Sequence, residues 1–240
     1  MTFIHIADLH ASPSRLEEIL KVLTALKERC LEGVVAFILF AGDFWDFIIS
    51  NSAKSGFSRI LRAFFDLQEV VECYMIYGTP THEADGSLEC FSIMPNVKVY
   101  DCKDAGSYLI FPDVKLTVIP EPRLSFFSGK DIEEKHSQIQ KWYKDIAEGS
   151  KKDNGEKHHI VMFHGEIEGC TYQNGVEVGD GGTVMPLSVL DSMEADYIAC
   201  GHIHGRMKVK GLKTPCWYSG SVPPKNFGET HCGGWIEVTL

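Results

Sequence analysis

An α/β sandwich with helices outside the sheets is the fold class that this sequence predicts, and three observations predict it. Apolar runs of strand length alternate with amphipathic helical stretches through the first half of the chain. Short β-rich runs then dominate the second half, broken by polar turns. The chain has 240 residues of which 44% are hydrophobic, and such a chain buries roughly three quarters of its unfolded surface as a single domain over 1–240.

Residues 2–7 read as a short buried strand, followed by a polar turn. A helix is predicted over about residues 15–30. Ser14 and Glu17 supply an S-x-x-E capping box for it, and Leu16, Ile19, Leu20, Leu23 and Leu26 follow helical spacing. Residues 34–41 are apolar throughout, as in a central strand covered on both faces. A second helix is expected over 56–67, with Ile60, Leu61, Phe64 and Phe65 toward the core, and a strand over 70–77. Three short strands, VKVYD, SYLIF and KLTVIP, fill 97–120. A polar helix over 131–148 precedes the hydrophilic stretch 150–157, which reads as a surface loop rather than a domain boundary. Strands over 159–163 and 197–200 flank a short helix at 186–193. No internal repeat or low-complexity tract is visible.

Composition excludes several classes. The longest uninterrupted apolar run has eight residues, against the ~18 that a bilayer span needs. The opening MTFIHIADLH lacks the basic segment and long apolar stretch of a secretory signal. Eight cysteines with no CxxC pair read as free, mostly buried thiols. A cytoplasmic protein with no membrane partner is therefore expected. The net charge of −10 opposes a broad basic surface gripping many phosphates, but not an enzyme whose positive charge resides in bound metal ions. A serine-hydrolase elbow, a phosphate-binding P-loop and a dinucleotide fingerprint are all missing.

The chemistry lies at strand ends. Five apolar runs end in metal-competent residues: Asp8-Leu9-His10, Gly42-Asp43-Phe44-Trp45-Asp46, Gly78 through His82-Glu83, His164-Gly165 and Gly201-His202-Ile203-His204. Residues two apart on an extended segment share a face, so Asp8 with His10, and His202 with His204, can converge on one ion. A lone DxH or HxH is usually a turn or a packed core pair. Five such blocks, each following a strand, make chance placement hard to defend.

This set, DxH, GDxxD, a Gly…His-Glu segment, a later His and GHxH, resembles the calcineurin-like metallophosphoesterase superfamily. Its details (FIHIADLH, GDFWD, FHGEIEG, PLSVL, DYIACGHIH and YSGSVPPKNFGE followed by GGWIEV) are most similar to SbcD-type DNA repair nucleases. The resemblance covers essentially the whole chain. It implies a four-layer α/β/β/α sandwich and two divalent metal ions, with Mn²⁺ expected and Fe or Zn as alternatives. Asp8, His10 and His204 are then ligands of one metal, His164 and His202 of the other, and Asp43 bridges them. Imidazole mixed with carboxylate suits those ions better than calcium. His82 aligns with the family histidine that contacts the scissile phosphate, Glu83 would orient it, and Asp46 would support the ligands. The family writes Gly-Asn-His where this chain has Gly-Thr-Pro-Thr-His, and aligning His82-Glu83 puts Thr81 in the position of the asparagine ligand.

The implied activity is metal-dependent phosphodiester hydrolysis, on DNA in repair or recombination, by attack of an activated water in line with the leaving oxygen. An SbcC-like ATPase partner and an oligomer go with that reading. SbcD-type proteins continue past this core into DNA-capping and partner-binding segments, so a small-nucleotide phosphodiesterase or phosphatase is the main rival. A catalytically weakened metal-binding scaffold subunit is the third reading. Arg206, Lys208 and Lys210 alternate just after GHIH and would share one strand face, where they either steer a phosphate backbone or protect a sheet edge. His5 reads as a hydrogen-bonded core or near-site histidine, His136 and His231 as surface residues, and the loop with Gly175, Gly179, Gly181 and Gly182 as a plain hairpin, with substrate contact as the alternative.

Overall fold

The computed structural model describes residues 1–46, 54–151, 155–172, 174–179, 181–222 and 233–240. Strands β1 (Thr2–Ile6), β2 (Val35–Phe40), β3 (Glu72–Ile76) and β4 (Val97–Tyr100) run parallel, and β11 (Ile236–Thr239) closes that sheet antiparallel to β1, in the order β11-β1-β2-β3-β4. A second sheet has the order β5-β6-β7-β8-β10-β9. It is built from β5 (Gly106–Phe111), β6 (Val114–Ile119), β7 (His158–His164), β8 (Tyr197–Gly201), β9 (Met207–Lys208) and β10 (Cys216–Tyr218). Its central strands β6, β7, β8 and β10 are parallel, while β5 and β9 are antiparallel edges.

Alternation along the strands divides the apolar residues between three cores. Phe3, Phe37, Leu39, Tyr74 and Ile76 of the first sheet pack with Leu116, Val118, Ile160, Met162 and Tyr197 of the second. Ile4, Ile6, Ile38, Phe40 and Met75 face the other way, onto α1 (Leu16–Leu31) and α2 (Lys54–Gln68). Val161, Phe163, Ile198 and Cys200 face α4 (Ile132–Gly149) and α5 (Leu187–Asp191). The result is the α/β/β/α sandwich, completed by the single turn α3 (Glu89–Ser92). His5 sits in the core as expected. It is fully buried, with Nδ1 3.0 Å from the Tyr197 hydroxyl and Nε2 3.1 Å from the Cys200 carbonyl.

Some local expectations change. The capping box at Ser14 and Glu17 does not form. Pro13 opens a 3₁₀ turn over Pro13–Arg15, α1 starts after it, and the Ser14 hydroxyl faces that of Ser12 at 3.0 Å. The 131–148 helix does have a side-chain cap, because Asp131 accepts from the Glu134 N–H at 2.9 Å. His136 is half-buried rather than exposed. Tyr172 and Val176 pair across a tight turn, as a hairpin requires. Part of the 150–157 loop and the stretch 223–232, with His231 and Cys232, lie outside the described residues. No helix among the described residues is long and apolar enough to cross a membrane.

Candidate metal centre

Parallel strands send their carboxyl ends in one direction, and ligands of such sheets gather there. Here β1, β2, β3, β6, β7 and β8 deliver their following loops to one edge of the sandwich. Ile6 is paired with Phe40, so the DxH and GDxxD loops leave side by side. The Asp8 N–H donates to the Gly42 carbonyl at 3.1 Å and the His10 N–H to that of Asp43 at 3.0 Å. His164 is paired with Gly201, which sets GHIH beside it.

The backbone is strained where the side chains must converge. Asp8 (φ 54°), His10 (φ 46°), Asp43 (φ 51°) and His202 (φ 107°) all occupy the left-handed region that non-glycine residues avoid. Such outliers cost about 1–3 kcal/mol each and collect at functional sites. Gly42 also has positive φ, and a Cβ there would overlap the His164 ring. A Cβ on Gly78 would collide with the Asp43 backbone and carboxylate. Both positions therefore need glycine for close approach.

Six of the seven residues expected to bind metal come together, Thr81 being the exception. Asp8, His10, Asp43 and His164 are at most 2% exposed. The Nε2 atoms of His10 and His204 are 2.9 Å apart. Donor atoms of Asp8, His10 and His204 lie within 4.8 Å of one another, as do those of Asp8, Asp43 and His164. Ligands about 2.1 Å from a shared ion stand roughly 3.0–3.4 Å apart, so these spacings suit metal coordination. The Asp8 carboxylate accepts the His202 N–H at 3.0 Å. His164 Nδ1 donates to the Ala41 carbonyl at 2.7 Å. A carbonyl can only accept, so Nδ1 keeps its proton and Nε2, 3.6 Å from the Asp43 carboxylate, is the nitrogen that would bind a metal ion.

The electrostatics favour positive charge here. Burial disfavours charging His164, yet Asp43 drives it up to about 10. Burial likewise opposes His202 protonation, and the Glu121 carboxylate overrides it. Burial would raise Asp43, yet His164 holds it well below the usual carboxylate range. His10 moves the other way because its desolvation dominates.

Two expected positions are corrected. Thr81 is exposed, and the hydroxyl at the centre belongs to Thr79. The His82 and Glu83 N–H groups both donate to the Thr79 carbonyl, at 2.9 and 2.8 Å. That turn loops Pro80 and Thr81 outward, so the two extra residues follow the asparagine position instead of preceding it. Thr79 Oγ1 lies 3.0 Å from Asp43, 3.1 Å from Glu121, and 3.4 Å from both His164 Nε2 and His202 Nδ1.

Glu83 does not orient His82 either. It is fully buried and accepts the N–H groups of Phe44 (2.7 Å), Trp45 (3.2 Å) and Gly78 (2.7 Å), tying the β2 and β3 loops together. Burial and the Asp43 charge raise its carboxyl above the ordinary range. His82 instead donates from Nδ1 to the Asp46 backbone carbonyl at 3.2 Å, with its ring 4.7 Å from that of His10. The Asp46 carboxylate stands 3.4 Å from His10 and 3.6 Å from His82.

Glu121 was not anticipated. It follows β6 by two residues, its Oε2 is 3.5 Å from both His164 Nε2 and His202 Nδ1, and the three residues group like metal ligands. Its position after an apolar run, KLTVIP, was the available signal.

Known proteins agree with this architecture. The chain is 25% identical to "Uncharacterized metallophosphoesterase YhaO" of Bacillus subtilis (strain 168), over 99% of its own length and 57% of that relative's. It thus spans little more than half of the curated relative. It also resembles the solved structure of GAP50, the anchor in the inner membrane complex of Plasmodium, with a TM-score of 0.58 and 12% identity over 99% of this chain and 80% of that one, which is a likeness of fold. Residues 1–206 match the calcineurin-like phosphoesterase family, and the chain belongs to that family of metal-dependent phosphoester hydrolases.

Proposed function

We propose that the protein is a phosphodiesterase using two divalent ions, Mn²⁺ first, and that it cleaves DNA as an exo- or endonuclease of the SbcD kind in repair or recombination. The carrying observation is the convergence of Asp8, His10 and His204 beside Asp43, His164 and His202 at one strand-end edge. Bound there, two divalent ions supply Lewis-acid charge that neutralises a phosphate and activates water. Asp8, His10 and His204 would hold one ion, His164 and His202 the other, with Asp43 between them.

His82 would meet the substrate. Its side chain is 25% exposed at the rim. With Nδ1 donating to the Asp46 carbonyl, Nε2 is the free nitrogen, and in the imidazolium form its proton would go to the phosphate or to the departing sugar oxygen. Glu83 holds the loops that carry Asp43, Thr79 and His82 in register. The DNA reading draws support from Arg206, Lys208 and Lys210, all exposed directly after His204, while Val209 between them is buried. An ATPase partner of the SbcC kind follows from the same resemblance.

The test is an Mn²⁺ assay on single- and double-stranded DNA, bis(p-nitrophenyl) phosphate and p-nitrophenyl phosphate. DNA cleavage that His82→Ala abolishes supports the nuclease. Turnover of the small esters alone assigns a small-molecule phosphoesterase. Bound ions without any turnover assign a metal-binding scaffold.

A further inference from the structure

We propose that Glu121 is an anionic ligand of the second metal ion, replacing the neutral asparagine amide of the family pattern, and that its charge tunes the site toward monoanionic phosphodiesters over dianionic phosphomonoesters. This inference rests on the two-ion reading above and names the substrate class of the same site.

Three observations carry it. Thr79 occupies the asparagine position with a side chain too short to do an amide's work alone, and its single hydroxyl proton is contested by Asp43 at 3.0 Å and Glu121 at 3.1 Å. Glu121 Oε2 lies 3.5 Å from each of His164 Nε2 and His202 Nδ1. Two ligands about 2.1 Å from a tetrahedral ion are roughly 3.4 Å apart, so one cation between these three atoms needs little rearrangement. Finally, Glu121 is fixed in place: its backbone N–H donates to the Tyr77 carbonyl at 3.2 Å, joining the end of β6 to the end of β3 across the two sheets.

The charge consequence is direct. Two divalent ions bring four positive charges. Asp8 and Asp43 remove two and an activated hydroxide a third, which with a neutral amide leaves one positive charge facing the substrate. Glu121 cancels it. A neutral centre takes a singly charged diester at lower electrostatic cost than a doubly charged monoester.

Calorimetric Mn²⁺ titration and elemental analysis of the wild type, Glu121→Ala and Glu121→Gln test the ligand role. Relative kcat/KM on bis(p-nitrophenyl) phosphate and p-nitrophenyl phosphate tests the charge role. The wild type is expected to bind two ions. Glu121→Ala should keep the first unchanged and hold the second at least about ten-fold more weakly. Glu121→Gln, which restores an amide, should shift turnover toward the monoester by about ten-fold. Melting curves in EDTA report folding, and the near-isosteric Glu121→Gln carries the test if Glu121→Ala does not fold. Two ions bound equally tightly by all three proteins, with an unchanged ester preference, would overturn the proposal alone. A wild type that binds no Mn²⁺ would overturn the two-ion reading and this inference with it.

Discussion

His10 and His204 are 194 residues apart in the chain, yet their Nε2 atoms face each other at 2.9 Å. At that distance one ring N–H can donate to the other in the metal-free protein, and both nitrogens are near enough to share one cation. His10 also holds a left-handed backbone, with φ 46°. His10→Ala should therefore abolish metal-dependent turnover, by about 10³-fold or more, and lower Mn²⁺ stoichiometry. The apo protein should melt within a few degrees of the wild type, because strain is released as contacts are lost. Elemental analysis and a melt in EDTA check both parts.

His82→Ala should leave bound metal unchanged and reduce kcat on DNA by about 10²–10⁴-fold, the range for losing a general acid. Nitrophenolate departs without help, so the loss on bis(p-nitrophenyl) phosphate should be much smaller. Equal losses on both substrates would mean that His82 serves the phosphate rather than the leaving oxygen.

Thr79 and Thr81 give opposite expectations. Thr79→Asn should tighten the second ion, since the amide enters a position already within 3.4 Å of His164 and His202. Thr81→Asn should change nothing, because Thr81 is exposed. The same Mn²⁺ titration reads both variants.

That pair also shows what the sequence could and could not disclose. Strand ends brought Asp8, His10, Asp43, His164, His202 and His204 together because parallel strands share a direction. The shared face expected of the DxH and HxH pairs does not hold, since Asp8, His10 and His202 lie beyond the strands at positive φ. The turn at Thr79 defeated the alignment: two backbone bonds to one carbonyl are invisible in a string of letters. Glu83 was misassigned for a related reason, as its partners are the backbone N–H groups of Phe44, Trp45 and Gly78, which carry no side-chain signature. Glu121 belongs to no motif and reaches the site through the pairing of β6 with β7 and its own N–H bond to the Tyr77 carbonyl. Layer order was legible, since alternation along β1 and β2 alone sends Phe3 and Phe37 to one face and Ile4 and Ile38 to the other.

Glu83→Gln should destabilise the apo fold by about 2–4 kcal/mol. A carboxylate accepting three N–H groups becomes an amide whose NH₂ must face a donor. Urea unfolding in EDTA measures it, and an unchanged midpoint would deny Glu83 its bracing role.

His5 gives a pH dependence away from the metal ligands. The Cys200 carbonyl can only accept, so Nε2 holds the proton and Nδ1 accepts from Tyr197. Burial lowers its pKa to about 3, against 6.5 when unfolded. The unfolded chain therefore takes up the proton first as the pH falls. The stabilising contribution is complete above pH 6.5 and is lost below it, at up to about 1.4 kcal/mol per pH unit. Apo wild type should lose stability between pH 6.5 and about 5 more steeply than His5→Asn. Parallel slopes would contradict this.

The most direct measurement is an anomalous difference map from crystals grown with Mn²⁺. Two peaks are expected, one within coordination distance of Asp8, His10 and His204, the other of His164 and His202, with the Asp43 carboxylate touching both. A map without peaks among these side chains, or with manganese only on surface acids, would contradict it.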